Sequence, residues 1–217
     1  MNASALLHLL QLASPALPVG GYSYSAGLET AIERGRVSCA EGAAHYLVRQ
    51  LEDVLATWDG AVYWRLLGAC DDAVFWQWNA RYLASRESAE LRAETVQMGF
   101  SLARLLVELG LAPPAPARET CLPAALAQAV RALGVPHEEA LLAMLFGWAE
   151  NQVLVCVKSI PLGQVAGQRL LLALRPAIEA AAARARTLPD EELSSWAPGL
   201  SWLSMAHEVQ HGRLYRS

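Results

Sequence analysis

The stretch "SAELRAETVQMGFSLARLLVELG", residues 88–110, decides the fold class. Its apolar side chains return every three or four residues, as at Leu91, Met98, Leu102 and Leu105. This spacing puts them on one face of an α-helix and does not fit the alternation of a half-buried strand. Helical spacing recurs through most of the chain, and convincing strand patterns are nearly absent. The sequence therefore predicts an all-α fold, a single-domain multi-helix bundle of roughly eight to ten helices.

Composition narrows the class of protein further. Apolar residues make up 54% of the 217 residues and charged residues 18%, which excludes a disordered chain. The net charge is −4 and there is no Lys/Arg cluster, so nucleic-acid binding is not expected. The longest apolar run carries Glu150, Asn151 and Gln152, which fits a buried helix better than a membrane span. With no positive region in the N-terminal apolar stretch and four scattered cysteines, we expect a cytoplasmic protein.

One clear loop interrupts the helical pattern. It is the proline-rich "LAPPAPARET", residues 111–120. Because the composition is the same on both sides, we interpret this segment as a helix connection and not as a domain boundary.

The string "HEVQH" near the C-terminus matches H-E-x-x-H, in which His207 and His211 would bind zinc and Glu208 would act as a general base. A catalytic zinc site needs a third protein ligand, and residues 212–217 contain no His, Cys, Asp or Glu. The ligand would have to come from upstream, for example from a cysteine. A surface or interface helix is the preferred interpretation, with a zinc-dependent hydrolase as the alternative.

Other candidates for chemistry are weaker. Lys158 lies in the apolar "LVCVKSIPLG", which suits either an activated amine or a lysine that contacts a partner. The glycine-rich stretch at 18–27 lacks the G-K-[ST] of a phosphate-binding loop. Gly163 and Gly167 form a G-x-x-x-G that favours close helix packing. The residues alone therefore indicate a helical protein without a recognisable active site.

Four blocks of this sequence resemble the urease accessory protein F family (UreF). They are "LLQLASPALPVGGYSYSAGLETAIERGRV" (9–37), "SRESAELRAETVQMGFSLARLL" (85–106), "VKSIPLGQVAGQRLLLAL" (157–174) and "SMAHEVQHGRLYRS" (204–217). Their common order along the chain makes the resemblance specific. It implies an all-helical, non-catalytic scaffold, often dimeric, with no cofactor or metal site of its own. Such scaffolds bind the urease accessory protein D (H in some systems), recruit the accessory GTPase, and dock on apo-urease to deliver nickel.

The resemblance also implies which residues contact partners. The candidates occur in all four blocks and are mostly polar or aromatic. They are Tyr22, Ser23, Tyr24, Ser25, Glu29, Arg86, Glu87, Lys158, Gln164, Gln168, Arg169, Glu208, Arg213, Tyr215, Arg216 and Ser217.

The last six residues of the chain are predicted to form a separate segment that binds a partner. We expect a helical domain over 1–211 and a partner-binding tail over 212–217, because the tail is short and charged and would order on a partner. Arg213 and Arg216 suit pairing with carboxylates, and Tyr215 suits a partner's pocket.

His211 departs from the family pattern, which usually has an aromatic residue there. The second histidine is therefore interpreted as a local variant and not as part of a shared metal site. A further alternative is a weak nickel carrier in the same pathway, with His207 and His211 as a transient site.

Overall fold

A computed structural model describes residues 2–112 and 118–217, in which ten α-helices and no β-strand are found. The helices are α1 (Ala3–Leu12), α2 (Leu28–Glu33), α3 (Ala40–Gln50), α4 (Gly60–Gly68), α5 (Asp72–Ala84), α6 (Ala89–Glu108), α7 (Leu122–Leu133), α8 (His137–Ser159), α9 (Gln164–Thr187) and α10 (Pro198–His207). The prediction of an all-α bundle of eight to ten helices is confirmed. The predicted loop at 111–120 falls partly outside the described residues, since 113–117 are not among them.

Helix α6 shows how the local sequence builds these elements. The Ser88 hydroxyl accepts a hydrogen bond from Leu91 N at 3.1 Å and so caps the helix, with Glu90 in the first turn where a negative charge is favourable. The residues that it buries include Met98 and Leu106. Leu109, which continues the same spacing four residues after Leu105, is exposed at the end of the helix. The buried face thus ends one turn earlier than the pattern indicates.

Helices α3 and α4 form one continuous rod because a π-helical segment, Leu51–Asp59, joins them. The π-helix is a rare element, and where it occurs it often lies near a functional site. Gly60 follows the segment directly, and a Cβ there would lie 2.7 Å from the Leu55 carbonyl oxygen. The rod packs on α9, and its last π-helical residue, Asp59, pairs with Arg86.

Helix α8 is the longest apolar element of the core. Within the described ranges it is the one helix long and apolar enough to cross a membrane by length and composition, and 44% of its apolar window is buried inside the bundle. It packs along α9 and beside α4, with Leu141, Leu145 and Ala149 fully buried. Core helices commonly have this composition, as expected from the polar residues at 150–152.

Candidate functional site

The densest polar cluster of the structure forms where the N-terminal block meets α6, α10 and the end of the chain. The N-terminal block turns through Gly20 and Gly27, which both have positive φ, 79° and 80°. A Cβ on Gly27 would lie 3.3 Å from Ser204 N, so glycine lets α2 start against α10. This close approach points Glu29, in the first turn of α2, toward the interior.

Glu29 connects three segments of the chain. Its Oε1 accepts a hydrogen bond from Leu214 N at 2.7 Å, and its Oε2 accepts one from Tyr215 N at 3.1 Å. The same Oε2 lies 2.9 Å from His207 Nε2. One buried carboxylate thus ties α2 to α10 and to the tail, and its desolvation is offset by these partners.

His207 is fully buried between two carboxylates. Its Nδ1 lies 2.6 Å from Glu90 Oε2, while its Nε2 faces Glu29. The other oxygen of Glu90 accepts a bond from Arg213 at 2.6 Å, and Glu208 accepts one from Ala89 N at 2.9 Å. We term Glu29, Glu90, His207 and Arg213, with the tail backbone bound to them, the Glu29 cluster.

The geometry does not fit the H-E-x-x-H alternative. Helix α10 ends at His207, so His211 lies beyond it and is exposed. Both ring nitrogens of His207 are already bound to carboxylates. Residues 2–112 and 118–217 contain no group of three or more His, Cys, Asp or Glu side chains placed to hold a metal ion. The sequence motif is therefore not presented as one helical face, which zinc binding would require.

The tail is bound to its own chain, which differs from the expectation that it orders on a partner. The Ser217 carbonyl accepts bonds from Ser25 N, at 2.9 Å, and from the Ser25 hydroxyl. Arg216 N donates to Ser23 O at 2.8 Å, and the Ser217 hydroxyl donates to Glu94 at 2.7 Å. The expectation considered only the tail's own residues and not the carboxylates that α2 and α6 present to it. The tail's contact with a partner stays a prediction.

Tyr215 is the apolar part of the tail's attachment. Its ring is buried, and Lys158 Nζ lies 5.8 Å from the ring centroid. Burial, together with Glu29, raises the pKa of the Tyr215 hydroxyl, and the neighbouring Ser159 hydroxyl opposes the rise. Lys158 itself is exposed, so the environment is not that of a desolvated, activated amine.

The remaining candidates lie elsewhere. Arg86 is buried in an ion pair with Asp59 at 2.9 Å and stacks 4.2 Å from the centroid of the Tyr82 ring, so it is not presented at the surface. Tyr24 is buried, whereas Tyr22 and Glu87 are exposed. A separate exposed group lies on the outer side of α9. It consists of Gln164, Gln168 and Arg169.

Sequence reasoning missed an exposed apolar surface formed by α10 and the turn that follows it. Trp202, Met205 and Val209 are 42%, 47% and 76% exposed. Arg34 and Arg36 lie over the Trp202 ring, with their guanidinium carbons 4.2 and 4.9 Å from its centroid. We term these five residues the α10 face. Their three- and four-residue spacing was visible in the sequence, but the same pattern also predicts a core-facing stripe.

Fold and site together define the class: an all-α protein with a buried polar cluster that binds its own C-terminal residues, beside an exposed apolar and cationic surface. The sequence model of a family described as UreF matches residues 37–175. "Urease accessory protein UreF" of Janthinobacterium sp. (strain Marseille) is 57% identical over 226 residues and is covered, like this chain, to 100%. The proteins of the same name from Nitrosospira multiformis and Azoarcus sp. (strain BH72) are 54% and 48% identical, each covering 98% of this chain, with 98% and 95% of their own lengths matched. The chain belongs to the UreF family of urease accessory proteins, which confirms the resemblance drawn from the four blocks.

Proposed function

We propose that this protein is a non-catalytic scaffold of urease maturation in the cytoplasm. In this proposal it binds the urease accessory protein D/H and the accessory GTPase, and the complex assists nickel insertion into apo-urease. The α10 face carries the proposal, because it leaves the apolar side chains of Trp202, Met205 and Val209 partly or largely exposed to solvent. The names of the relatives, each a urease accessory protein, support the pathway.

The α10 face has the composition of a protein interface. Trp, Met and Arg are enriched in interface cores, and Trp and Arg supply most of the binding free energy in many complexes. Here two arginines already lie over Trp202, so their side chains are ordered before a partner arrives. A partner would therefore lose less side-chain entropy on binding than it would with free arginines.

The Glu29 cluster contributes by fixing α10 in place. Besides Glu29, the hydroxyls of Ser88 and Ser204 lie 2.5 Å apart and join the start of α6 to α10. Glu208, directly after α10, accepts a hydrogen bond from Ala89 N at the start of α6. These contacts hold α10 by its buried side, and the α10 face stays rigid toward solvent.

A second surface is proposed on α9. Gln164, Gln168 and Arg169 share its outer side with the exposed apolar residues Val165 and Leu172. We assign this side to the GTPase or to a second copy of the chain. Two separate surfaces suit a scaffold, which must contact two partners at once.

Urease activation in cells tests the proposal. Trp202→Glu places a carboxylate on the α10 face without touching the core. In a strain that expresses the urease gene cluster with this variant as its only copy, we expect urease activity at saturating nickel to fall at least tenfold. Leu7→Glu on α1 is the control, since Leu7 is also an apolar surface residue and is 66% exposed, against 42% for Trp202. Full activity of the Trp202 variant would contradict the proposal, provided that both variants keep the parental melting temperature.

A further inference from the structure

A cavity of about 270 Å³ opens into the bundle beside the N-terminal block, whose residues form part of its wall. Its walls are mainly apolar and come from α1, α6, α7 and α8; Leu12, Met98, Leu126 and Trp148 are examples. Tyr22 stands exposed at the rim. The size and the predominantly apolar walls are close to those of small-molecule sites.

The floor of this cavity is charged. Asp59 and Arg86 form a 2.9 Å ion pair there, with their side chains only 16% and 10% exposed. Two more carboxylates inside the cavity, those of Glu94 and Glu150, form no ion pair within the described residues, and the exposed Glu87 adds a fourth carboxylate at its edge. Three carboxylates inside the cavity therefore share one guanidinium, which leaves an excess of negative charge.

Burial makes this excess unfavourable without a ligand. Desolvation raises the pKa of Glu94 to about 7, although the Ser217 hydroxyl and Arg86 both oppose the rise. Desolvation also raises the pKa of Glu150. A cation placed beside these groups would restore their charged forms and would itself be bound.

A hydroxyl without a partner lies beside the same cavity. Tyr46, a lining residue from α3, has a buried hydroxyl with no hydrogen-bond partner in the described part of the chain. A buried group of this kind costs about 1–3 kcal/mol, so its place beside the cavity supports the presence of a ligand. Tyr63, one helical turn after Asp59, also lines the cavity and is 1% exposed.

The carboxylates indicate which kind of cation fits. They do not come together as a group of three metal ligands anywhere in residues 2–112 and 118–217. Carboxylates that are spread along an apolar cavity suit a larger ion, whose charge is spread over several donors and whose body is apolar. We propose that this cavity binds an organic cation, an ammonium or guanidinium group on an aliphatic or aromatic body, with the charged head near Glu94 and the apolar body against Leu12 and Met98.

Calorimetric titration of the full chain tests the inference with n-hexylguanidinium, and with n-hexanol and hexanoate as neutral and anionic probes of the same length. We expect the cation to bind at least tenfold more tightly than the alcohol and the anion to bind least. Glu94→Gln keeps a hydrogen-bond acceptor for Ser217 but removes the charge. It should therefore weaken the binding of the cation about tenfold and leave the affinity for the alcohol unchanged. Glu108→Gln, on the same helix but in an exposed pair with Arg104, is the matched control and should change nothing.

Any one of three results would overturn the inference: the alcohol and the cation bind equally, Glu94→Gln has no effect on binding of the cation, or the cation does not bind at millimolar concentration. If the first variant does not fold, Glu150→Gln provides the same comparison. N-acetyl-arginine methylamide is the final probe, because an arginine of a partner protein shares the chemistry of a free guanidinium compound. Binding as tight as that of n-hexylguanidinium would assign the cavity to a partner's side chain, and weaker binding would assign it to a small molecule.

Discussion

In the Glu29 cluster both oxygens of Glu29 and both oxygens of Glu90 have hydrogen-bond partners. In the cavity, Glu150 has none in the described structure and Glu94 has only the Ser217 hydroxyl. Both regions are rich in carboxylates, and both border α6. They differ in whether the surrounding chain supplies donors.

The difference separates two uses of buried polar groups. A network in which every member is paired rigidifies the fold, and removal of one member leaves the others desolvated. A buried group left unpaired lowers stability and is kept where it serves binding. We therefore assign the Glu29 cluster to holding α10 and the tail, and the cavity floor to a ligand.

The largest effect is expected from Glu29→Ala. The substitution leaves His207 and the backbone N–H groups of Leu214 and Tyr215 without their acceptor inside the protein. We expect the free energy of unfolding to fall by about 3–5 kcal/mol, as measured by urea denaturation. Glu33→Ala, on the exposed side of the same helix, is the control and should change stability by less than about 0.5 kcal/mol. Similar small losses in both variants would mean that the cluster does not hold the fold.

The next effect depends on pH. The folded-state pKa of Glu94, about 7, lies above the 4.5 of an ordinary glutamate, so the folded protein binds this proton more tightly than the unfolded chain. The associated stability is fully present below pH 4.5 and is lost as the pH rises to about 7, by up to about 3 kcal/mol. Urea denaturation should therefore show that, from pH 5 to pH 8, the free energy of unfolding of the wild-type protein falls relative to that of Glu94→Gln. A difference that is the same at both pH values would contradict the assigned pKa shift.

A smaller effect is expected where the tail meets the N-terminal block. Ser25→Ala removes the hydroxyl that donates to Ser217 and that accepts from Glu29 N, at a cost of about 1–2 kcal/mol. Ser23→Ala is the matched control, because Ser23 holds Arg216 through its backbone carbonyl only. Limited proteolysis should cut the tail faster in the Ser25 variant than in the Ser23 variant. Equal cleavage would show that the Ser25 hydroxyl does not fasten the tail.

The smallest effect on stability belongs to the α10 face. Trp202→Ala should change the free energy of unfolding by less than about 1 kcal/mol, because the ring is 42% exposed and packs mainly on two arginines. Thermal unfolding checks this. A loss comparable with that of Glu29→Ala would assign Trp202 to the fold and not to binding.

Sequence patterns predicted the helices because helix spacing and capping are local. Leu91 and Leu102 lie on the buried face of α6 as their spacing indicates, and Ser88 caps that helix. The family and the four blocks were also recognisable. The partners of His207 were not, since Glu29 lies 178 residues away along the chain and only the fold brings the two together.

The same limit explains why the sequence predicted that the tail becomes ordered on a partner and not on its own chain. Taken alone, residues 212–217 are too short and too charged to be anchored on the chain's own core, and their acceptors on α2 and α6 are distant in sequence. The α10 face was missed for the opposite reason. Trp202 and Met205 have the spacing of core residues, and only their exposure distinguishes them from Leu203, which is buried.

Hydrogen–deuterium exchange of the protein, alone and with the urease accessory protein D/H, tests the assignment of the two regions most directly. If α10 is the docking helix, binding should slow exchange in α10 and at residues 33–36, and should leave α1 and the outer side of α9 unchanged. Slowed exchange in α1 or α9 with no change in α10 would contradict the central claim that the Glu29 cluster holds a docking face on α10.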